Sequence, residues 1–284
     1  MSGVIVAGVD GSAPALAGVE WAADDAFRMR VSLRVVCAVD LWPYPVPELS
    51  VPDWEDALFK GAHKVLAEAE ATARARQPTV EVSTELLAGP AAAALREQAD
   101  AAAEIVIGSR GLGGFTGSVL GSISTNVAGH APGPVVVVRS RATVVHGEIV
   151  VGVDGSPGCE PALGYAFEQA ALRGSRLRAL NTWQLPYAFT PHFPYTVDID
   201  EMRWAQRRVA ESQLSPWQDK YPQVTLLKDV QRGHPVEALT LAGDRADLLV
   251  VGSHGRSAAG ALALGSVSRG VLHHARCTVA VVRA

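Results

Sequence analysis

The sequence predicts two tandem α/β domains, each an open parallel sheet of five strands sandwiched by helices. Three observations carry this expectation. The chain repeats itself: Gly8 and Gly152, Gly108 and Gly252, and Gly121 and Gly265 are each 144 residues apart. Within each repeat, short Val/Ile/Leu runs alternate with alanine-rich segments, the pattern of βαβ units around a sheet buried on both faces. Each repeat also carries one glycine-rich stretch after its fourth apolar run, "GSRGLGGFTGSVLGSIS" from Gly108 and "GSHGRSAAGALALGSVS" from Gly252.

The elements of the first repeat follow in order. Strands are expected at about 3–9, 32–39, 80–87, 104–108 and 134–139, where β-branched residues cluster between turn formers. Helices are expected at about 13–29, 54–76, 90–102 and 122–130, where Ala, Leu, Glu and Arg dominate. Between the second strand and its helix lies "DLWPYPVPELSVPDW", read as an irregular surface loop and repeated in the second half as "QLPYAFTPHFPYTVD". The domains are expected at 1–140 and 148–284, joined by the polar "SRATVVHGE" from Ser140 to Glu148.

Composition narrows the partners. At 284 residues and 48% hydrophobic, each half can bury a sound core. A net charge of −4 gives no basic excess for nucleic acid or an anionic membrane, so a small-molecule partner is favoured. The N-terminal "MSGVIVAGVDGS" has no basic start and meets Asp10 early, which predicts neither a signal peptide nor a membrane span and a cytoplasmic location. Cys37, Cys159 and Cys277 lack metal-ligand spacing and read as buried thiols.

The glycine-rich stretches sit where the fourth strand leads into the last helix, at the carboxyl edge where open α/β sheets bind ligands. Their spacing is G-x2-G-x9-G-S: Gly108, Gly111, Gly121 and Ser122, then Gly252, Gly255, Gly265 and Ser266. Glycine permits positive φ and close backbone approach, and a helix beginning at Gly-Ser offers N–H groups to an anion such as a phosphate chain. Ser122, Ser124, Ser266 and Ser268 can add hydroxyl donors, and Arg110 a cation; His254 replaces the arginine in the second half. The first strand ends in "GVDGS" both times, bringing Asp10 and Asp154 to the same edge. Each Asp could cap the following helix or take a ribose hydroxyl or phosphate-bound Mg²⁺.

These motifs strongly resemble the universal stress protein family in its tandem-domain form. The resemblance rests on "GVDGS", the glycine signature, and the terminal "VVVVR" and "VAVVR" strands, in both halves. It implies strand order 3-2-1-4-5 in each domain, one ATP site per domain, and action as a nucleotide-dependent stress or growth regulator. In ATP-binding members the first-strand Asp contacts the nucleotide, the glycine loop wraps the phosphates, and the residue ending strand two meets adenine. Carried onto this chain, the site is Gly8, Asp10, Ala38, Gly108, Ser109, Arg110, Gly111, Gly114, Gly121, Ser122, Ile123 and Ser124 in the first domain. In the second it is Gly152, Asp154, Thr182, Gly252, Ser253, His254, Gly255, Gly265, Ser266, Val267 and Ser268. The ligand is expected to be ATP with Mg, and no protein-bound metal is expected. The visible departures between halves are Ala103 against Asp247 and Arg110 against His254.

Other chemistries fit less well. No G-x-G-x-x-G follows the first strand, no P-loop Lys-Ser/Thr is present, and no G-x-S-x-G elbow occurs. His130, His273 and His274 lack a third ligand at metal spacing. No general base presents itself, so the chain is expected to hydrolyse ATP weakly at most, a slow ATPase or other nucleotide-processing enzyme of the same fold being the alternative. Trp183 is read as packing, with base stacking the other possibility, and Trp21, Trp54, Trp204 and Trp217 as helix packing residues. Trp42, Tyr44, Tyr187 and Phe189 in the long loops suggest a homodimer or a regulatory protein partner.

Overall fold

In a computed structural model of the chain, residues 3–40, 51–112, 120–139, 144–184, 198–255 and 264–283 are described, with side chains of the helix at 51–76 described from residue 55. The chain divides into two compact units, Met1–Thr143 and Val144–Ala284.

The first unit runs β1 (Val4–Gly8), α1 (Ala13–Met29), β2 (Ser32–Val39), α2 (Val51–Arg76), β3 (Val82–Ala88), α3 (Ala91–Glu97), β4 (Ala102–Gly108), α4 (Ser122–His130) and β5 (Gly133–Val138). Its strands lie in the order β3-β2-β1-β4-β5, every pair parallel. The second unit runs β6 (Glu148–Val153), α5 (Glu160–Arg173), β7 (Arg176–Trp183), α6 (Ile199–Lys220), β8 (Leu226–Arg232), α7 (Pro235–Gly243), β9 (Leu248–Gly252), α8 (Ser266–His274) and β10 (Thr278–Arg283). Its order is β8-β7-β6-β9-β10, again parallel. Both domains therefore have the expected order, with the sheet changing direction beside its first strand.

The interior strands are apolar along their length because helices cover both faces. Ile5, Val6, Ile105 and Val135 are fully buried in the first domain, as are Ile149, Leu248, Leu249 and Val279 in the second. At the other end of each sheet, β3 and β8 are edge strands with exposed polar residues such as Ser83, Thr84, Glu85 and Lys228, which discourages pairing with another chain. On the helical layer, Arg76 and Gln77 donate to Asp24 and tie α2 to α1. Burial opposes ionisation of Asp24, but these partners hold its carboxyl below the usual range.

Two boundaries differ. Helix α2 begins at Val51, three residues early, inside the run read as loop. The alanine-rich run at 90–102, expected as one helix, ends as a helix at Glu97, passes through a 3₁₀ turn at Ala99–Ala101, and continues as β4 from Ala102. Ala102 pairs with Val4 and Glu104 with Ile5, so sheet pairing overrides alanine's helix preference and leaves Ala103 as a bulge. The matched position in the second domain is Asp247. Its two carboxylate oxygens each accept a backbone N–H at 2.8 Å, from His146 and Gly147, and so pin the chain entering β6. This accounts for one visible departure between the halves.

The aromatic residues divide. Trp183 is buried, and Trp217 stacks with Phe167 and Tyr221 while its Nε1 donates to Glu160. Trp204 is not a packing residue as expected: it is 60% exposed on α6, with the Arg208 guanidinium 4.9 Å from its ring centre. Helical position alone does not reveal which face a tryptophan occupies. The side chain of Trp54, and all of Trp42, Tyr44, Tyr187 and Phe189, lie outside the described residues, and so does the loop basis of the homodimer expectation. No described helix is long and apolar enough to cross a membrane.

Candidate functional site

Each domain carries a cavity at the carboxyl ends of its central strands, where the strand order reverses. The first, about 530 Å³, is lined by Gly8 and Asp10 after β1, Val36 and Ala38 of β2, Ala91 and Leu95 of α3, and the β4–α4 connection. That connection supplies Gly108, Arg110, Gly111, Gly121, Ser122, Ile123 and Ser124. The second, about 240 Å³, is lined by Gly152, Asp154, Thr182, Gly252, His254, Gly255, Gly265, Ser266, Val267 and Ser268, together with Cys159, Leu180, Pro235 and Leu239. Of the expected residues, only Ser109 and Ser253 are absent from these linings, being buried beneath the loops, while Gly114 lies outside the described residues.

The Asp after the first strand joins two loops. Asp10 Oδ1 accepts the Ser12 N–H at 3.0 Å and Oδ2 accepts the Leu112 N–H at 2.9 Å. It is not the helix cap: Ser12 is the N-cap of α1, its Oγ accepting from the Ala15 N–H. Asp154 is used differently, Oδ1 accepting both the N–H and the hydroxyl of Ser156 at 2.9 and 2.6 Å. The tight turn after each Asp needs a glycine, because Gly11 and Gly155 hold φ of 85° and 82°.

The signature glycines have another reason to be bare. None of those described has positive φ, contrary to one part of the expectation. A Cβ on Gly108 would lie 2.7 Å from the Pro14 carbonyl carbon and the Ala15 nitrogen, so α1 packs directly on that backbone. A Cβ on Gly111 would overlap Oδ2 of Asp10, and one on Gly255 would come within 2.7 Å of Oδ2 of Asp154. Close approach is therefore required, but by the protein's own groups. Gly121 and Gly265 are different: a Cβ there meets nothing nearer than 3.4 Å.

The start of the last helix is open. Gly121 N–H donates to Ser109 O at 2.8 Å and Gly265 N–H to Ser253 O at 2.9 Å, closing each loop onto its strand. Among the described residues, no side-chain hydrogen bond caps α4 or α8. The first-turn amides of Ser122, Ile123 and Ser124, and of Ser266, Val267 and Ser268, thus stand at the cavity wall with the positive end of the helix dipole behind them. The hydroxyls split: Ser124 donates to Gly108 O at 2.8 Å and Ser268 to Ser253 O at 2.9 Å, so both staple the loop. Ser122 and Ser266 are exposed at the cavity. Arg110 is exposed at the first cavity's rim. In the second domain His254 Nδ1 lies 3.0 Å from Ser253 Oγ, while its Nε2 is buried with no partner among the described residues.

The model of the universal stress protein family matches residues 1–139 and again 147–283. The chain belongs to the universal stress protein family. A universal stress protein of Mycobacterium tuberculosis is 35% identical to it over 311 aligned positions, covering 98% of this chain and 94% of the relative. One of Mycolicibacterium smegmatis is 34% identical, covering 98% and 96%. The crystal structure of a universal stress protein from Archaeoglobus fulgidus superposes with a TM-score of 0.74 at 20% identity, covering 100% of this chain and 97% of that one, which shows the shared fold.

Sequence reasoning missed the apolar wall of each cavity, Val36, Ala91 and Leu95 in the first domain and Leu180, Pro235 and Leu239 in the second. The signal was available, since these pairs stand 144 residues apart like the glycines. Among the described residues no group of three or more His, Cys, Asp or Glu could hold a metal ion.

The Cys159 thiol, on the second cavity's wall, is pushed up to about 12 by burial, with the Asp154 and Glu160 charges adding to it against a backbone hydrogen bond at Asp154. Burial, then the Asp10 carboxylate, raises Cys37 as well. At pH 8 both thiols are expected to resist a disulfide-exchange reagent in the folded chain and to react fully once it is unfolded. The folded state holds the Cys159 proton more tightly than an ordinary thiol near 9.0. Stability should therefore hold below pH about 9 and fall as pH rises toward about 12. Cys159→Ser should reduce that alkaline loss, as read by urea unfolding across this range; an unchanged alkaline slope would contradict the assignment.

Proposed function

We propose that the chain is an ATP-binding regulator whose nucleotide site is the switch-point cavity of each domain, the first being large enough for a whole nucleotide. The observation that carries this reading is the uncapped N-terminus of α4 opening into a cavity of about 530 Å³ that is apolar at its other end. Anionic phosphates match the free amides, Ser122 and Arg110, while a flat purine matches Val36, Ala38, Ala91 and Leu95. Asp10 stands between these ends. Its oxygens retain lone pairs beyond the two backbone bonds and could accept from a ribose hydroxyl or hold Mg²⁺ brought with the phosphates.

The same arrangement favours binding over turnover. Asp10 is the carboxylate among the first cavity's lining residues, and it is committed to the loops at Ser12 and Leu112, where abstraction of a proton from water would compete with the fold. In this reading ligand occupancy, not product, is the output, exerted in the cytoplasm on a protein partner. ATP with Mg²⁺ at a hundred times its dissociation constant should stabilise the chain by about 2.7 kcal/mol. Turnover should stay far below the ~10 s⁻¹ typical of enzymes. A thermal shift that ignores Mg-ATP would sink the binding reading, and steady hydrolysis near the enzymatic rate would sink the regulatory one.

A further inference from the structure

Among the described residues, different groups hold the turn that carries each site's aspartate. In the first domain it is tied to the β4–α4 connection: Asp10 Oδ2 accepts the Leu112 N–H, and the Ser12 hydroxyl donates to Arg110 O at 3.3 Å. In the second, helix α6 reaches it. The Gln213 amide oxygen accepts the Gly155 N–H at 3.1 Å, while its Nε2 donates to Ser156 O at 2.9 Å and lies 3.4 Å from Glu160 Oε1. The amide has one workable orientation, because Gly155 presents a donor and Ser156 an acceptor. Glu160 in turn accepts from Trp217, one turn further along α6. The first domain lacks the side chains for this: 144 residues before Gln213, Glu160 and Trp217 stand Ala69, Leu16 and Ala73. The two helices nevertheless pack alike. A Cβ on Gly11 would come 3.0 Å from the Val65 side chain, and one on Gly155 2.6 Å from that of Val209, again 144 residues on.

We infer that Gln213 is a positioning residue for the second domain's nucleotide site, acting through Ser156 on Asp154. The inference rests on the ATP reading of that site. The N–H and hydroxyl of Ser156 both hold Oδ1 of Asp154, which leaves Oδ2 on the side of Gly255, at the cavity wall. That is the oxygen able to meet a ribose hydroxyl or Mg²⁺. Gly155, at φ 82°, makes the turn possible but gives it little stiffness of its own. Gln213 supplies the stiffness by gripping the backbone at both Gly155 and Ser156, so that Asp154 is aimed before the ligand arrives. A carboxylate left to swing must be ordered on binding, and affinity falls accordingly. Helix α6 therefore enters recognition at the second site, whereas Ala69 gives α2 no such part in the first.

The test uses the full chain with Mg²⁺ and photoreactive 8-azido-ATP, the labelled peptides being quantified over a concentration series. Each domain then yields its own half-saturating concentration. Gln213→Met fills the same space without either bond. It should raise the half-saturating concentration for second-domain peptides about tenfold, the loss of roughly one net hydrogen bond, and leave that of first-domain peptides unchanged. Gln213→Asn, an amide one methylene too short, should do the same and stands in if the methionine chain does not fold. In an Asp154→Asn chain, Gln213→Met should add less than about twofold, because the two residues act along one path. A merely structural role would lower the urea midpoint and leave labelling of the folded chain where it was. Unshifted second-domain labelling in folded variants, an equal shift in both domains, or the full effect repeated on Asp154→Asn would overturn this inference while leaving the ATP reading intact. A wild type labelled in the first domain alone would overturn it together with the second nucleotide site. A wild type labelled in neither would overturn the ATP reading itself.

Discussion

Gly108→Ala is expected to cost the first domain about 3 kcal/mol, the upper end of what an added methylene costs a close-packed interior. The added carbon would sit 2.7 Å from both the Pro14 carbonyl carbon and the Ala15 nitrogen, and 2.9 Å from the Pro14 oxygen. These are backbone atoms in the first turn of α1, which Ser12 caps and the sheet supports. No side chain can swing aside, so either α1 or the end of β4 must move. A loss of this size corresponds to a fall in melting temperature of roughly 10 °C. Gly121→Ala provides the contrast. Its backbone is extended at φ −78°, and its nearest new contact, Ser109 O at 3.4 Å, is ordinary van der Waals distance. Urea unfolding of both variants should show a large shift for the first and little for the second. Equal shifts would mean that the packing of α1 on Gly108 is not what the position requires.

The second large effect concerns ligand rather than stability. Gly121→Val should weaken ATP binding to the first domain at least about 100-fold, equivalent to roughly 2.7 kcal/mol, while leaving the free chain's unfolding nearly unchanged. Residue 121 lines the cavity immediately before the open amides of Ser122, Ile123 and Ser124. Valine suits the extended backbone there, but its two methyls compete for the space in which a phosphate would rest against those amides. Because Gly108 and Gly111 are demanded by Pro14, Ala15 and Asp10, substitutions there confound folding with binding. Gly121 separates the two. Calorimetric titration of the variant with Mg-ATP reads the effect, and wild-type affinity in a folded Gly121→Val chain would place the phosphates elsewhere.

The sequence reads well where a single local cause decides the outcome. The buried strands announce themselves as Val/Ile/Leu runs, and the offset of 144 residues reveals the two cavities' glycines and aspartates together. It reads poorly where the cause is a partner distant along the chain. Nothing near Gly111 in sequence reveals that the Asp10 carboxylate packs against it, and nothing near Ser124 reveals that its hydroxyl serves Gly108 O. The alanines at 102 and 103 resemble the helix before them, and only pairing with β1 makes them strand. The apolar walls were likewise visible as letters, Val36 with Leu180 and Ala91 with Pro235, but only the fold placed each set on one surface.

The most direct test of nucleotide recognition is calorimetric titration of Mg-ATP into the nucleotide-free wild-type chain. Saturable heat is expected, with a dissociation constant well below about 1 mM, the level that corresponds to only −4.1 kcal/mol, and Gly121→Val should remove the first domain's share of it. Absence of saturable binding by the folded wild type up to that concentration would contradict the account.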